Sequence, residues 1–549
     1  MTYDDARADL EAWRNEYPND PFSADQLLNR LLAQYLDAPR LDELETRAAA
    51  FARQVTEVVA PAAARYEQRL HLPEFAPYDG IGRRVDRVEF DPAYHAAGTV
   101  VWASGVVALS GEPGRAFEQA TLLYLLSLEG EAGHACPATC TIGLARALRR
   151  RGDEEVTSRF LPALLDPDYV RAQRGAQFLT EVQGGSDVGA NACEATLSGD
   201  GVTYLISGEK WFCSVADADQ FFVTARVPGA RAGTAGLGSF VVPRAIDGRP
   251  NGFALRRLKD KLGTRGLASG EIDFTAARAW PVGPLDDGFR TAVSVVLNTS
   301  RWMTAVGASG IMRRCVLEAR AFARHRRAFG ERIERFASLR RTLADMTARA
   351  DGALALVMAL TDLEDRLDAQ RASNDDVHFH RLLVNMVKYL TSRQATTVAR
   401  DAIEVLGGNG TIEEFSVLPR LYRDAIVYES WEGTHNVLAA QVLNDLRRLP
   451  LTSVASARLG ATIEAGSLGD VLAPRLATTI LGLERCRDDN EFAAWHLRDL
   501  LDQLGLIAEA ALLDAAGPAS ARHLAITSAP GYDALVDHGL AARVAAVLD

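Results

Sequence analysis

Between about Arg174 and Pro284 the hydrophobic period of this chain changes, and on either side it changes back. Within that stretch Tyr204-Leu205-Ile206, Trp211-Phe212-Cys213, Phe221-Phe222-Val223, Ser239-Phe240-Val241-Val242 and Glu271-Ile272-Asp273-Phe274 are short β-rich runs. Turn pairs such as Ser207-Gly208, Asp247-Gly248 and Asn251-Gly252 separate them. Short strands at this spacing predict an antiparallel sheet or barrel of roughly a hundred residues. Gly236-Leu237-Gly238 runs on into a strand pattern, so a strand–GxGxxG–helix nucleotide unit is not expected there.

The flanks carry helical patterning. Upstream, Asp42–Ala60, Phe117–Leu126 and Thr141–Arg151 are rich in helix formers, and Tyr78–Ala93 breaks them as a loop or short hairpin. Pro162 and Pro167 close this region. Downstream, helices are expected around 289–328, 337–369, 378–407 and 434–448, enough for an antiparallel bundle. The last hundred residues read as further helix, with Leu500-Leu501, Leu504 and Ile507 as an apolar stripe. At 549 residues, three or four packing units are expected. The expected division is a helical N-terminal domain (1–172), a β middle domain (173–285), a helical bundle (286–448) and an extra C-terminal helical domain (449–549). The fold class is mainly α with a central antiparallel β domain.

Charge narrows the partners. The chain carries a formal net charge of −12, and from Pro450 onward it has seven arginines, thirteen acidic residues and no lysine. That field repels a phosphate backbone, so nucleic acid is not an expected partner of the tail. No apolar run is long enough to span a bilayer, and the acidic N-terminus lacks a signal-peptide pattern, so a cytoplasmic location is expected. The six cysteines are scattered and read as buried free thiols. Cys136 and Cys140 lack the second pair a zinc site needs, and no metal site is expected. His378 and His380 read as surface residues.

Two stretches carry chemistry. Gly407-Gly408-Asn409-Gly410 reads as a glycine hairpin whose amides allow close approach of a bulky ligand. Further on, Glu432 is isolated in Trp431-Glu432-Gly433-Thr434, with Thr434 as the N-cap of a helix carrying Leu438, Val442 and Leu446. The piece from Met312 to Arg349 holds eleven arginines against four acidic residues. It reads either as a solvated helix face or as a surface for phosphate, which guanidinium forks match.

With these motifs in order, the chain resembles the acyl-CoA dehydrogenase family. Phe178-Leu179-Thr180-Glu181-Val182-Gln183-Gly184-Gly185-Ser186-Asp187-Val188 resembles that family's TEPGAGSDV flavin segment, and Lys210-Trp211-Phe212-Cys213 its KxWIT strand. Lys261-Leu262-Gly263-Thr264-Arg265 resembles KxGxR, Arg326-Arg327-Ala328-Phe329-Gly330 RxxFG, the glycine hairpin GGxG, and Trp431-Glu432-Gly433-Thr434 YEGT. Tyr78-Asp79-x-x-Gly82-Arg83-Arg84, the tryptophan at 431 and the long tail resemble the AidB-like branch.

The resemblance implies FAD as cofactor, contacted by Phe178, Leu179, Thr180, Gly185 and Ser186, with Trp211, Phe212 and Cys213 at the ring. Arg326 is implied at the pyrophosphate, and Phe329 is implied among the cofactor contacts. Glu404, Gly407 and Gly408 are implied to reach the flavin of a neighbouring subunit, which makes a homo-oligomer, a dimer of dimers, part of the site. Gly433, Thr434 and Asn436 complete the cofactor set. Ser186, Arg301, Trp431 and Gly433 are implied to face an acyl-CoA or related thioester. Glu432 is implied as the base that removes its α-proton while a β-hydride passes to the flavin, with an electron-transfer protein as acceptor. Some positions differ from the family pattern: Cys213 stands for threonine, Glu404 for glutamine, Phe336-Ala337 where a glutamine follows RxxFG, and Asn298-Thr299-Ser300 before Arg301. Two other readings remain open: an AidB-like flavoprotein of the alkylation-damage response with little dehydrogenase activity, and a non-catalytic acyl-CoA- or lipid-binding protein.

Overall fold

A computed structural model describes residues 2–549. The chain divides into two compact units, each discontinuous in sequence. One contains the residues through Thr56 together with Ser127–Gly130 and Thr304–Asp549; the other contains Glu57–Leu126 and Glu131–Met303.

The second unit is built on a seven-stranded sheet. It is preceded by a hairpin of β1 (Glu74–Tyr78) and β2 (Arg84–Glu89); the stretch Tyr78–Ala93 holds its turn and second strand, while β1 lies just before it. The sheet strands are β3 (Gly175–Phe178), β4 (Glu194–Leu197), β5 (Tyr204–Ser214), β6 (Gln220–Arg226) and β7 (Leu237–Pro243). After a short ribbon of β8 (Ala245–Ile246) and β9 (Arg249–Pro250) come β10 (Phe253–Leu258) and β11 (Ser269–Pro281). The strand order is β10-β11-β5-β4-β6-β3, and β7 pairs with both β6 and β11. The ring β11-β5-β4-β6-β7 therefore closes on itself and leaves little open edge. Most pairings are antiparallel, but β3 and β4 each pair β6 in parallel, because the chain runs through β4 and β5 before β6 returns beside β3.

Aromatic rings fill one side of the sheet: Phe221 lies 4.9 Å from Phe178, 5.7 Å from Phe253 and 6.2 Å from Phe274. Against other sheet residues, Phe222, Val241 and Trp280, the helices Ala135–Arg151 and Glu154–Leu164 bury Leu144, Leu148, Phe160 and Leu164. Pro162 lies in the last turn of the second of these helices rather than beyond it.

The first unit is helical. The long helices Ala337–Asp368 and Asn374–Leu406 fall where the periodicity places them, as does His435–Leu446. A further helix, Leu418–Ser430, was not expected. Its signals are Pro419 in the first turn and buried Leu418, Leu421, Ala425 and Tyr428 on one face. The glycine hairpin is a 3₁₀ turn, Gly407–Thr411, that ends the helix before it. His380 is buried, not at the surface, and pairs with Glu364 at 2.7 Å where the two long helices pack.

The tail helices belong to the same unit as the bundle. Leu501, Leu504 and Ile507 are all buried on the helix Asn490–Ala516. This helix approaches closely enough that a Cβ on Gly505 would lie 2.5 Å from Leu390. On the same helix the fully buried Glu509 receives a 2.9 Å hydrogen bond from Gln394, and burial pushes its carboxyl up to about 8. A folded-state pKa raised above the unfolded value near 4.3 means the protonated form is the one the fold favours. Its contribution is complete below the unfolded pKa and is lost as pH rises through the folded one. Glu509→Gln is expected to flatten this dependence. Between about pH 5 and 9 wild type should lose roughly 3 to 5 kcal/mol more stability than the variant, read by urea unfolding across that range.

Candidate functional site

Each unit contributes its own set of motif residues. In the β unit the organising contact is a buried ion pair. Lys210, at 1% exposure, donates to Glu181 at 2.7 Å, to the Leu179 carbonyl at 3.3 Å and to the Thr224 carbonyl at 2.9 Å. Burial opposes ionisation of Glu181, but Lys210 and the Ala192 amide hold its carboxyl below the usual range. One ammonium thus ties β5, β6 and the segment after β3 together.

The register of β5 against β11 places the next residues. Lys210 stands opposite Ile272 and Cys213 opposite Gly270, so Trp211 and Phe212 together face one residue, Glu271. This β-bulge breaks the inward–outward alternation and turns consecutive aromatics away from the core. Phe212 is 52% exposed, while Cys213 is buried and its thiol donates to the Lys210 carbonyl. The ammonium of Lys259 lies 3.6 Å from the centre of the Trp211 ring and pairs with Glu271 at 2.8 Å.

Trp211 also donates its backbone N–H to the Thr180 carbonyl at 2.9 Å, joining the bulge to the glycine segment. A Cβ on Gly185 would lie 2.8 Å from the Thr180 hydroxyl, so only glycine lets the loop fold this tightly. Gly185 and Ser186 are exposed, and their backbone N–H groups donate to no acceptor among the described residues. Phe178 and Leu179 are buried, so their side chains serve the core and only their backbones are available to a ligand. In the Lys261–Arg265 motif, Lys261 donates to the Leu267 carbonyl and Ser269 hydroxyl, both at 2.9 Å, which fixes its own loop. Arg301 is also buried, with Asn298 at 3.3 Å, and Gln177 donates to Ser300 at 2.9 Å.

In the helical unit the arginine-rich stretch resolves into pairs. Nine of its eleven arginines are ion-paired within the unit, among them Arg313 with Asp351, Arg314 with Glu129 and Arg332 with Asp9. Arg320 donates to the Leu548 carbonyl. The half-buried Arg326 makes no ion pair among the described residues. Most of the stretch is therefore internal bracing; of the two guanidiniums without an ion pair among the described residues, Arg320 is held by a backbone carbonyl and Arg326 is the one the motif singles out. Beside it Phe329 is 97% exposed with φ +51°, and Glu404, Gly407 and Gly408 are exposed too.

Glu432 lies in the turn between Leu418–Ser430 and His435–Leu446, with φ +56°, and Gly433 follows at φ +110°. A left-handed conformation is strained for glutamate and aims its side chain off the line of either helix. Trp431 stacks on Tyr428 at 5.0 Å. Thr434 is the N-cap residue, but its side chain makes no capping bond, and Asn436 is held by Arg498 at 2.7 Å. Of the residues with positive φ other than glycine, Thr264, Phe329 and Glu432 lie inside the recognised motifs.

One participant escaped the sequence reading. Lys388 is fully buried and donates to the carbonyls of Glu429 and Gly433, on either side of Glu432. A compositional signal was present. Only four of the chain's 60 basic residues are lysines, at 210, 259, 261 and 388, and each is built into one of the contacts described above.

The closed β ring with its bulge-presented aromatics and the helical unit with its strained carboxylate each correspond to a known domain family. Residues 286–446 match the acyl-CoA dehydrogenase C-terminal domain, 176–277 its middle domain, and 15–171 the N-terminal domain of the adaptive response protein AidB. The chain is 34% identical to AidB of Escherichia coli (strain K12) over 388 residues, 68% of this chain and 69% of that protein. It is 29% identical to acyl-CoA dehydrogenase family member 11 of Caenorhabditis elegans, covering 96% of this chain and 85% of that one. The solved structure of that worm protein with C11-CoA superposes with a TM-score of 0.84 over 92% of this chain and 90% of that chain, at 26% identity. The apo form of Bd2924 does so at 0.83, with 27% identity, over 92% of this chain and 97% of that one. The chain belongs to the acyl-CoA dehydrogenase family, with an N-terminal region of AidB type.

Two substitutions test the halves separately. Lys210→Met leaves Glu181 charged and buried, and is expected to cost roughly 3 to 5 kcal/mol in urea unfolding. Arg326→Ala is expected to weaken FAD binding roughly tenfold to a hundredfold, with the fold intact, the size of effect that losing one charge-assisted hydrogen bond to a phosphate would have. Arg335→Ala, which removes an exposed pair with Glu331, should leave FAD affinity within about twofold. Flavin absorbance after dialysis reads both arginine variants.

Proposed function

We propose that this protein is an FAD-dependent oxidoreductase that introduces an α,β double bond into an acyl-CoA or a related acyl thioester, with Glu432 as the general base. The observation that carries the reading is the strained turn at Glu432: a carboxylate held at φ +56° is costly to keep and points to use.

The chain's residues fit FAD on the features already described. In the β unit, free backbone donors at Gly185 and Ser186 and the aromatic face at Trp211 and Phe212 suit a ring edge and a ring plane; in the helical unit, the counter-ion-free Arg326 suits a pyrophosphate. When bound, FAD supplies a two-electron acceptor for the hydride leaving the β-carbon. Every other requirement falls to the protein. A thioester carbonyl acidifies its α-hydrogen, and Glu432 accepts that proton in the step. Trp431, stacked on Tyr428, lends apolar surface beside the carboxylate. Binding of C11-CoA by the worm relative supports a fatty acyl-CoA as substrate class. The exposure of Phe329, Glu404, Gly407 and Gly408 supports a homo-oligomer in which a second subunit covers them. An electron-transfer protein as oxidant of the reduced flavin completes the cycle.

Anaerobic titration of the yellow protein with straight and branched acyl-CoAs tests the reading. At least one should bleach the flavin of wild type, and Glu432→Gln should keep its FAD while losing bleaching by roughly a thousandfold or more. Full reduction of that variant would remove Glu432 from the role. No bleaching of wild type by any acyl-CoA would favour a non-catalytic acyl-CoA-binding flavoprotein.

A further inference from the structure

We infer that Lys388 is a positioning residue for the Glu432 turn: its buried ammonium fixes the two carbonyls that bracket the base. The inference rests on the reading of Glu432 as general base, and its structural half stands apart from that reading.

The helix Leu418–Ser430 ends one residue before Trp431 and leaves carbonyls without intrahelical donors. Lys388, from the helix Asn374–Leu406, donates to one of them, Glu429, at 3.1 Å. It donates also to the Gly433 carbonyl at 3.0 Å, at the far end of the two residues with positive φ. A cation at a helix C-terminus is favourable in its own right. Here the same cation bridges both ends of the loop 430–432, so the peptide planes 429/430 and 433/434 that anchor the loop cannot rotate without breaking a charge-assisted bond inside the protein.

The flanks of the turn are braced as well. Thr396 donates to the Glu429 carboxylate at 2.5 Å and His435 pairs with it at 2.8 Å. Burial opposes ionisation of Glu429, while His435 and Thr396 hold its carboxyl below the usual range. A Cβ on Gly433 would come within 3.0 Å of Leu438, so the loop packs directly on the following helix. The choice of lysine is the independent pointer. This chain uses arginine almost everywhere a cation is needed, yet it keeps lysine here. Two carbonyls, 3.1 and 3.0 Å from one buried nitrogen, suit a compact ammonium, not a planar fork.

Lys388→Met in the FAD-loaded protein tests this, with Lys388→Arg as a second variant that keeps charge but not shape. The expected result has three parts. Deuterium exchange should accelerate at the amides of 431–434 and remain as in wild type elsewhere. The saturated acyl-CoA that reduces wild-type flavin fastest should bind both with similar affinity. The rate of bleaching at saturation should fall roughly tenfold to a hundredfold, the cost of a base displaced by about an ångström. Lys388→Arg should show the same pattern, and it serves alone if the methionine variant does not fold. Wild-type exchange at 431–434 and a wild-type bleaching rate overturn the inference. So does faster exchange spread through the whole helical unit with an unchanged rate per bound flavin, which would make Lys388 merely structural. If no acyl-CoA bleaches wild type, the proposed reaction fails, and the exchange pattern alone decides whether Lys388 holds the turn.

Discussion

The buried pair of Lys210 and Glu181 is the constraint on which the β unit depends. Two charges removed from water cost several kcal/mol each, and the cost is met only when nearly every donor and acceptor is used. Here the ammonium reaches three acceptors, and the carboxylate accepts from the amides of Ala192 and Cys193 as well. Such a pair has few alternative partners and tolerates little displacement, so it fixes the strand that carries it. Because Lys210 is locked inward and Cys213 is buried three residues later, the bulge between them must turn Trp211 and Phe212 out. The orientation of the aromatic face follows from a charge on the other side of the strand.

Much of this architecture was written in local pattern. The change of period at Arg174 reports a real change of packing, since a sheet face and a helix stripe demand apolar residues at different spacings. The helix Leu418–Ser430 was missed for a physical reason: it lies between two glycine-containing turns, and its thirteen residues include charged ones on the solvent side that dilute the stripe. Parallel pairing of β3 with β6 was not legible either. The two strands lie more than forty residues apart, and nothing in a short apolar run states the direction of its neighbour.

The site was legible in part, and the division is instructive. Glycines at 185, 407 and 433 and the carboxylate at 432 show in the sequence because each breaks a local rule. The bulge at Trp211 does not show, because a strand with one extra residue looks like any strand. The arginine-rich stretch misled in the other direction. Charge density in sequence cannot separate guanidiniums that meet Asp9, Glu16 or Asp351 from one that meets no carboxylate, and only the packed structure distinguishes Arg326 from its neighbours.

Lysine is the residue whose rarity should have carried weight. Arginine and lysine are often treated as one class, but a guanidinium needs room for a planar fork, whereas an ammonium fits a small polar niche and directs three bonds from a point. A chain that fills nearly all its cationic positions with arginine has, in effect, separated the two demands. At 210 the enclosed ammonium meets two carbonyl oxygens and the Glu181 carboxylate, at 388 it is enclosed and bonds two carbonyl oxygens, and at 259 it sits over an indole ring. Surface charge, helix pairing and solubility are served by either cation, so those positions could all drift to arginine. What is left marks the places where shape, not charge alone, decides. Among them, 388 lies against the turn in which Glu432 is held in a conformation that glutamate rarely adopts. Strain of that kind persists only where the surroundings over-determine it, and a buried cation bonded to both ends of the loop is such a surrounding.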